Sequence, residues 1–292
     1  MSGDPIPIAA MAAPTKAGAA PAKAGRDGPV GAATAANPGE AGRYRTPRDD
    51  APLVVFDFDH TLYDGDSGSH LFAWLIKRSW WRRLLALLLA PVFGPMVAFL
   101  PTRRMGISGF VWAGTVGFSR VRELDALIDA YVARHAEDIR GRLLPVALEV
   151  FHAHRNRGDR VVVATGAPPE LARAILSFVA HEDVPVVGTL AGPRFGAVVA
   201  ARHCHNEEKM RMLRELGWSD IDAAYSDSWA DLPLLLGARR PVVVNPKPGS
   251  IERFRRALPP GTPVLNWGCP GRGGEPVTAG VGVNGTLPAD RV

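Results

Sequence analysis

The sequence predicts an α/β fold, a doubly wound parallel sheet with a mainly helical cap inserted after the first strand. Three observations predict it. Short apolar runs, "LVVFDF", "RVVVATG", "AAYSD" and "PVVVN", end in turn or polar residues. Stretches with helical spacing alternate with them: "PPELARAILSFVA", "NEEKMRMLRELG", "SWADLPLLLGA" and "SIERFRRAL". The segment between Asp66 and about Leu143 has few strand signals and breaks the alternation once. Strand, helix, strand implies a parallel sheet covered on both faces, whose strands read as near-continuous apolar runs.

The elements follow in order. Residues 1–50 are rich in Ala, Gly and Pro and carry too little large apolar surface to offset their ordering entropy. They read as a disordered arm, without the charged start and apolar core of a secretion signal. Residues 51–66 and 144–267 form the predicted catalytic core, and residues 67–143 the helical, hydrophobic cap. From Gly268 to residue 292 the chain again reads as a disordered tail. No internal repeat interrupts this plan.

Composition narrows the functional classes. The chain has 292 residues, 47% of them hydrophobic and 22% charged, which fits a globular core. Its net charge of +5 is spread over small clusters such as "KRSWWRR" and "PTRRM". A basic balance suits nucleic acid, an anionic membrane surface or phosphorylated substrates. Zinc-finger spacing and an aromatic-rich RNA-binding signature are both lacking, so nucleic acid is not an expected partner. Cys204 and Cys269 are the two cysteines, too few for a disulfide framework, and a reducing compartment is the simpler setting. "NGT" at Asn284 matches a glycosylation acceptor, a pattern short enough to arise by chance.

The chemistry concentrates in "VVFDFDHTLYDGDS". Asp57 and Asp59 share one face of an extended chain. Two carboxylates that close stay ionised only if a cation lies between them, or else one keeps a proton. A metal, an acid/base pair or both would suit them. In parallel sheets ligands bind beyond the carboxyl ends of the strands. Asp57, Asp59, Thr165 and Asp227 all fall at such ends.

A carboxylate attacking a phosphoryl group splits hydrolysis into two easier steps. The expected roles are Asp57 as nucleophile and Asp59 as acid/base. Asp57, the main-chain carbonyl of Asp59, and Asp227 would hold Mg²⁺, a hard cation that prefers oxygen. Thr165 and Gly166, at a turn before a helix, offer a hydroxyl and N–H groups as a phosphate cradle. Lys209 supplies a compact positive charge for the phosphate and the nucleophile.

The motifs "DFDHTL", "VVVATGAP", Lys209 in "HNEEKM", and "YSDSWADLPLL" stand in the order found in haloacid dehalogenase-superfamily phosphatases. The helical insert soon after the first motif resembles subfamily IB, the branch of phosphoserine phosphatase. A closer likeness is to the phosphatidylglycerophosphatase C type. That type also has an apolar insert, a "W-x-x-T-x-G-x-S"-like piece (Trp112, Thr115, Gly117, Ser119), a "TG-x-P" motif and "YSDS-x-x-D-x-PLL". The resemblance spans roughly residues 52–247. It implies Asp57 as nucleophile, Asp59 as acid/base, Asp227 as metal ligand, Asp231 as a supporting carboxylate, and Thr165 and Lys209 as phosphate contacts. One departure is Asn206, where the family expects a small residue three positions before Lys209. It bears on the shape of that loop.

Other polar residues read more plainly. His203 and His205 in "HCH" resemble metal ligands, but alternating strand residues cannot all face one ion. His152 and His154 are expected to be solvated on a polar helix. Asp64 and Asp66 follow the nucleophile loop, and Asp66 would either face substrate or cap the next helix.

Leu84 to Leu100, "LLALLLAPVFGPMVAFL", carries no charge. As a helix it would reach about 26 Å, close to the thickness of a bilayer core. Pro91, Gly94 and Pro95 are expected to kink or break it. Asp57 precedes this run, whereas Thr165 and Asp227 follow it. One clean crossing would part them, so the run must cross an even number of times, dip in and return, or lie in the interface. Trp80 and Trp81, with arginines at both ends, fit an interfacial anchor. The alternatives are a cap core packed on itself or a dimer interface. The sequence therefore points to a phosphomonoester hydrolase at the cytoplasmic membrane face, peripheral or re-entrant, acting on a lipid headgroup such as phosphatidylglycerophosphate. A soluble phosphatase of a small phosphorylated metabolite is the next reading, and a membrane-associated interaction protein without turnover is the third.

Overall fold

A computed structural model describes residues 48, 50–99, 102–181 and 183–278. Most of the N-terminal arm, the last part of the tail and Asn284 lie outside the described residues. Among the described residues the central sheet has seven parallel strands, in the order β3-β2-β1-β6-β7-β8-β9. They are β1 (Leu53–Phe56), β2 (Arg160–Ala164), β3 (Val186–Val187), β6 (Ile221–Ser226), β7 (Ala238–Val244), β8 (Val264–Asn266) and β9 (Glu275–Pro276). A two-stranded antiparallel hairpin, β4 (Leu190–Arg194) with β5 (Ala197–Arg202), stands apart from the sheet.

β1 explains the architecture. Its four residues are all buried, as a strand covered on both faces requires. Val54 and Phe56 enter one apolar layer, Leu53 and Val55 the other. Phe56 stacks on Tyr225 with ring centroids 4.5 Å apart and meets Phe151 at 5.1 Å. The chain leaves β1 toward β2 and β3, then returns on the other side through β6, β7 and β8. The switch point lies between β1 and β6, the usual place for a ligand in such sheets. The core helices are α6 (Pro145–Arg157), α7 (Pro169–Leu176), α8 (Glu207–Glu215), α9 (Leu232–Leu236) and α10 (Ile251–Ala257).

Between β1 and β2 come five helices: α1 (Ser67–Lys77), α2 (Trp80–Ala98), α3 (Arg103–Thr115), α4 (Val121–Arg134) and α5 (Ala136–Gly141). Asp66 caps α1 by accepting from the Ser69 N–H at 2.7 Å, which resolves its two readings in favour of capping. α2 and α3 form an antiparallel pair with glycine at the contact. A Cβ on Gly106 would lie 2.7 Å from Val97, and one on Gly109 2.6 Å from the Phe93 ring, so only glycine permits this approach. The outward side of α2 remains apolar and exposed at Trp80, Leu84, Leu87, Leu88 and Val92.

Four expectations need correction. The apolar run does not break at Pro91, Gly94 and Pro95, because α2 continues through all three. Each proline removes one N–H and frees one carbonyl of the preceding turn, and on a mostly exposed helix solvent can take that bond. The chain does not lose order at Gly268. Trp267 and Cys269 are buried and β9 pairs with β8, so at least residues 268–278 belong to the folded body. His154 is not solvated. It is buried, with Nδ1 2.7 Å from Asp159 Oδ2 and Nε2 2.9 Å from the Tyr225 hydroxyl, and burial holds its imidazole below the usual pKa. His152 is half-buried beside His181, with ring centroids 4.7 Å apart.

Trp267 closes the C-terminal strap onto the sheet. Its ring lies 5.6 Å from Tyr225, and its main-chain N–H donates to Asn245 Oδ1 at 2.7 Å. Trp267→Ala is expected to destabilise the fold by about 3–5 kcal/mol, the range for removing a large buried aromatic. Urea unfolding measures it; a loss of less than about 1 kcal/mol would mean the strap is not packed as described.

Candidate active site

Strand register assembles the site. Phe56 pairs with Val163 on β2 and with Tyr225 on β6. The residues that follow, Asp57, Thr165 and Asp227, therefore emerge together at the carboxyl ends of adjacent strands. The Asp57 N–H donates to the Tyr225 carbonyl at 2.9 Å, and the Thr165 N–H to the Val187 carbonyl at 2.8 Å, which fixes both in the ladder.

Lys209 enters from the first turn of α8 and is buried. Its Nζ donates to Asp57 Oδ1 at 2.8 Å and to Asp231 Oδ2 at 2.7 Å. Asp231, in the turn before α9, also accepts from Ser226 Oγ at 2.8 Å. Burial lowers an ammonium's pKa, but here the Asp231 and Asp57 charges more than offset it and hold Lys209 above its ordinary value. Asn206, just before α8, has φ 59° and ψ −138°, a backbone shape natural to glycine. The position thus keeps the conformation of a small residue although the side chain is larger.

The carboxylates are strained by burial. Asp57 is pushed up to about 6 by burial, with Lys209 opposing and Asp231 reinforcing the shift. Asp227 is pushed up to about 8 by burial and then by Asp57, with Arg272 opposing. This mutual repulsion between oxygen donors is what a hard divalent cation relieves, so Asp57 and Asp227 fit Mg²⁺. Desolvation and then Asp66 raise Asp59 to about 7, well above the usual carboxylate range. One oxygen of Asp59 accepts from the Ser67 N–H at 2.8 Å.

Thr165 is buried, and its hydroxyl accepts from the Ala167 N–H at 3.0 Å. It shapes the turn in which Gly166 stands exposed. Thr189 tightens the same turn by donating to the Gly166 carbonyl at 2.6 Å and accepting from the Cys204 N–H at 3.1 Å. Cys204 is therefore turned inward while His203 is exposed, and "HCH" follows β5 rather than lying on it.

Three contributors escaped the sequence reading. Arg272, on the strap, places Nη1 2.9 Å from Asp227 Oδ2. Ser226 holds Asp231 in place. Asn245, buried at φ 48°, donates to the His60 carbonyl at 2.7 Å and so ties the loop after Asp59 to the end of β7. Ser226 sits in "YSDS" and could have been flagged, but nothing local marks Arg272 in its Gly-rich surroundings.

Lys209→Met leaves two buried carboxylates facing each other without their cation. It is expected to cost about 3–5 kcal/mol, as for other broken buried ion pairs. Urea denaturation without divalent metal measures it; an unchanged midpoint would contradict the described pairing.

Comparison with known proteins agrees with this arrangement at the level of family. The haloacid dehalogenase-like hydrolase family model matches residues 54–236. A solved protein of unknown function from Bordetella pertussis Tohama I is similar at 22% identity and a TM-score of 0.46, over 73% of this chain and 97% of that one. A HAD family hydrolase from Salmonella enterica subsp. enterica serovar Typhi is similar at 14% identity and a TM-score of 0.46, over 71% and 67%. A phosphoserine phosphohydrolase-like protein from Francisella tularensis subsp. tularensis SCHU S4 is similar at 14% identity and a TM-score of 0.42, over 66% and 87%. With the family model spanning well over half of its 292 residues, the chain belongs to the haloacid dehalogenase-like hydrolases.

Proposed function

We propose that this chain is a Mg²⁺-dependent phosphomonoester hydrolase of the phosphoserine phosphatase-like branch. In this reading it forms an aspartyl-phosphate on Asp57 and takes a lipid phosphomonoester, such as phosphatidylglycerophosphate, at the cytoplasmic face of a membrane. The observation that carries the chemistry is Lys209, buried between Asp57 and Asp231 beside Asp227 at the switch point of the sheet.

Lys209 anchors Asp57 Oδ1, which leaves Oδ2 to attack phosphorus. Thr61 Oγ1 lies 3.5 Å from that oxygen. Asp59 gives its proton to the leaving oxygen, then takes one from the water that cleaves the acyl phosphate. Gly166, at the turn set by Thr165, receives the phosphate with its main chain. Asp231 acts through Lys209 by holding its ammonium. Asp57, the Asp59 carbonyl and Asp227 would hold Mg²⁺, which would supply charge neutralisation between carboxylate and phosphate.

The support for a membrane surface is α2. It is the one helix among the described residues that is long and apolar enough to cross a bilayer, and little of it is buried. Lys77, Arg78 and Arg83 are exposed around its N-terminus, where the helix dipole disfavours cations. Anionic headgroups would satisfy these charges, with Trp80 at the interface and the leucines below it.

Asp57→Asn is expected to abolish phosphate release while circular dichroism stays that of the wild type; retained turnover would remove the nucleophile. Phosphate release from phosphatidylglycerophosphate should exceed that from phosphoserine and other soluble esters. The reverse ranking would favour the small-metabolite reading. Replacing Leu84, Leu87 and Leu88 together with Ser should release the protein from anionic vesicles in a sedimentation assay while turnover of a soluble ester persists. A wild type that never sediments would sink the membrane arm alone.

A further inference from the structure

Beside the catalytic carboxylates lies a second group of metal-ligand side chains with different chemistry. His60 and Asp64 stand on the loop after Asp59, and Cys269 arrives from the C-terminal strap. Their ligand atoms all lie within 4.8 Å of one another. Cys269 Sγ donates to Asp64 Oδ1 at 3.0 Å and lies 3.9 Å from His60 Nδ1. A tetrahedral Zn²⁺ with bonds of about 2.0–2.3 Å needs ligand atoms about 3.3–3.8 Å apart, so small side-chain adjustments close the site.

The backbone holds all three in place. His60 adopts φ 57°, a conformation costly for a non-glycine residue, and is fixed there by its N–H to Tyr63 O at 2.6 Å and by Asn245 on its carbonyl. Asp64 N–H donates to the Arg142 carbonyl at 2.7 Å. Asn266 Oδ1 accepts from the Cys269 N–H at 3.1 Å and holds the strap turn.

We infer that His60, Asp64 and Cys269 form a second metal site, selective for a thiophilic divalent ion of the Zn²⁺ class. Sulfur and imidazole suit Zn²⁺, whereas Mg²⁺ takes oxygen, so this site and the Asp57–Asp227 pair sort different metals. On binding, the Cys269 S–H bond breaks, its proton passes to solvent, and an S–Zn bond forms. Thiolate and Asp64 together neutralise the ion, and one coordination position stays open. The bound ion pins the strap, and with it Arg272, to the loop that follows the nucleophile.

The test uses the full chain stripped of metal with a chelator, then titrated with Co²⁺ in excess Mg²⁺. The expected result is one equivalent of Co²⁺ showing a thiolate-to-cobalt charge-transfer band and tetrahedral visible bands, displaced by Zn²⁺. The bands should persist in Asp57→Asn and Cys204→Ala and vanish in Cys269→Ser. His60→Asn, which tolerates the left-handed backbone, and Asp64→Asn should each weaken Co²⁺ binding at least tenfold. Absence of the bands in folded wild type overturns the proposal, as does their survival in Cys269→Ser or their loss in Cys204→Ala. Should Cys269→Ser fail to fold, the two conservative variants decide: unchanged affinity in both overturns it. Loss of phosphatase activity in Asp57→Asn with the bands intact separates this site from the catalytic reading.

Discussion

A buried ammonium shared by two buried carboxylates is the constraint around which the rest of the molecule is arranged. Lys209 reaches Asp57 and Asp231 from a separate helix, and it can do so only if three stretches far apart in sequence converge. The parallel sheet achieves this by register, delivering each chain to the same rim. With Arg272 opposite Asp227, three buried carboxylates face one buried cation, Lys209, and one half-buried cation, Arg272. That imbalance keeps the site receptive to positive charge, and burial leaves Asp57 and Asp227 short of their usual acidity. The energetic tension is what distinguishes this rim from an ordinary end of a sheet.

The cap answers a different problem. The five helices between β1 and β2 stay connected to the core by the chain entering α1 and the chain leaving α5. Additional fastening comes from the β4–β5 hairpin. Thr115 Oγ1 donates to the Val198 carbonyl at 2.6 Å, Trp112 Nε1 to the Phe195 carbonyl at 3.0 Å, and the Gly117 N–H to the Gly196 carbonyl at 2.8 Å. Ser119 turns instead to Glu123 and starts α4. The residues that suggested a lipid-phosphatase signature therefore have a structural reason for their spacing. Arg82 adds a tie from α2, donating to the Val116 carbonyl at 3.0 Å.

Much of this was legible in the sequence because it is local or ordered. Strands such as "LVVFDF" announce themselves by continuous β-branched and aromatic residues, and Asp57, Thr165 and Asp227 follow such runs directly. What escaped depends on partners distant in sequence. Gly and Pro in "LAGPR" mask a strand, since both disfavour one, yet a two-stranded ribbon tolerates proline at its edge. β9 is only two residues long, below any periodicity. His154 lies in a helix rich in polar residues, and its burial comes from Asp159 and from Tyr225 on a different strand. Arg272 sits among glycines, where pattern carries no information about an ion pair made by the fold.

The hairpin's fastening has an asymmetry that matters for variation. On the cap side each bond requires a particular group: the threonine hydroxyl, the indole N–H, and a glycine at φ 94°. On the hairpin side the acceptors are all main-chain oxygens, which every amino acid possesses. Mutational drift is thus unequally permitted across one contact. The exposed Phe195 can exchange its side chain without dissolving the joint, whereas Val198 is held by its own burial in the core and Thr115 and Gly117 by the bonds they make.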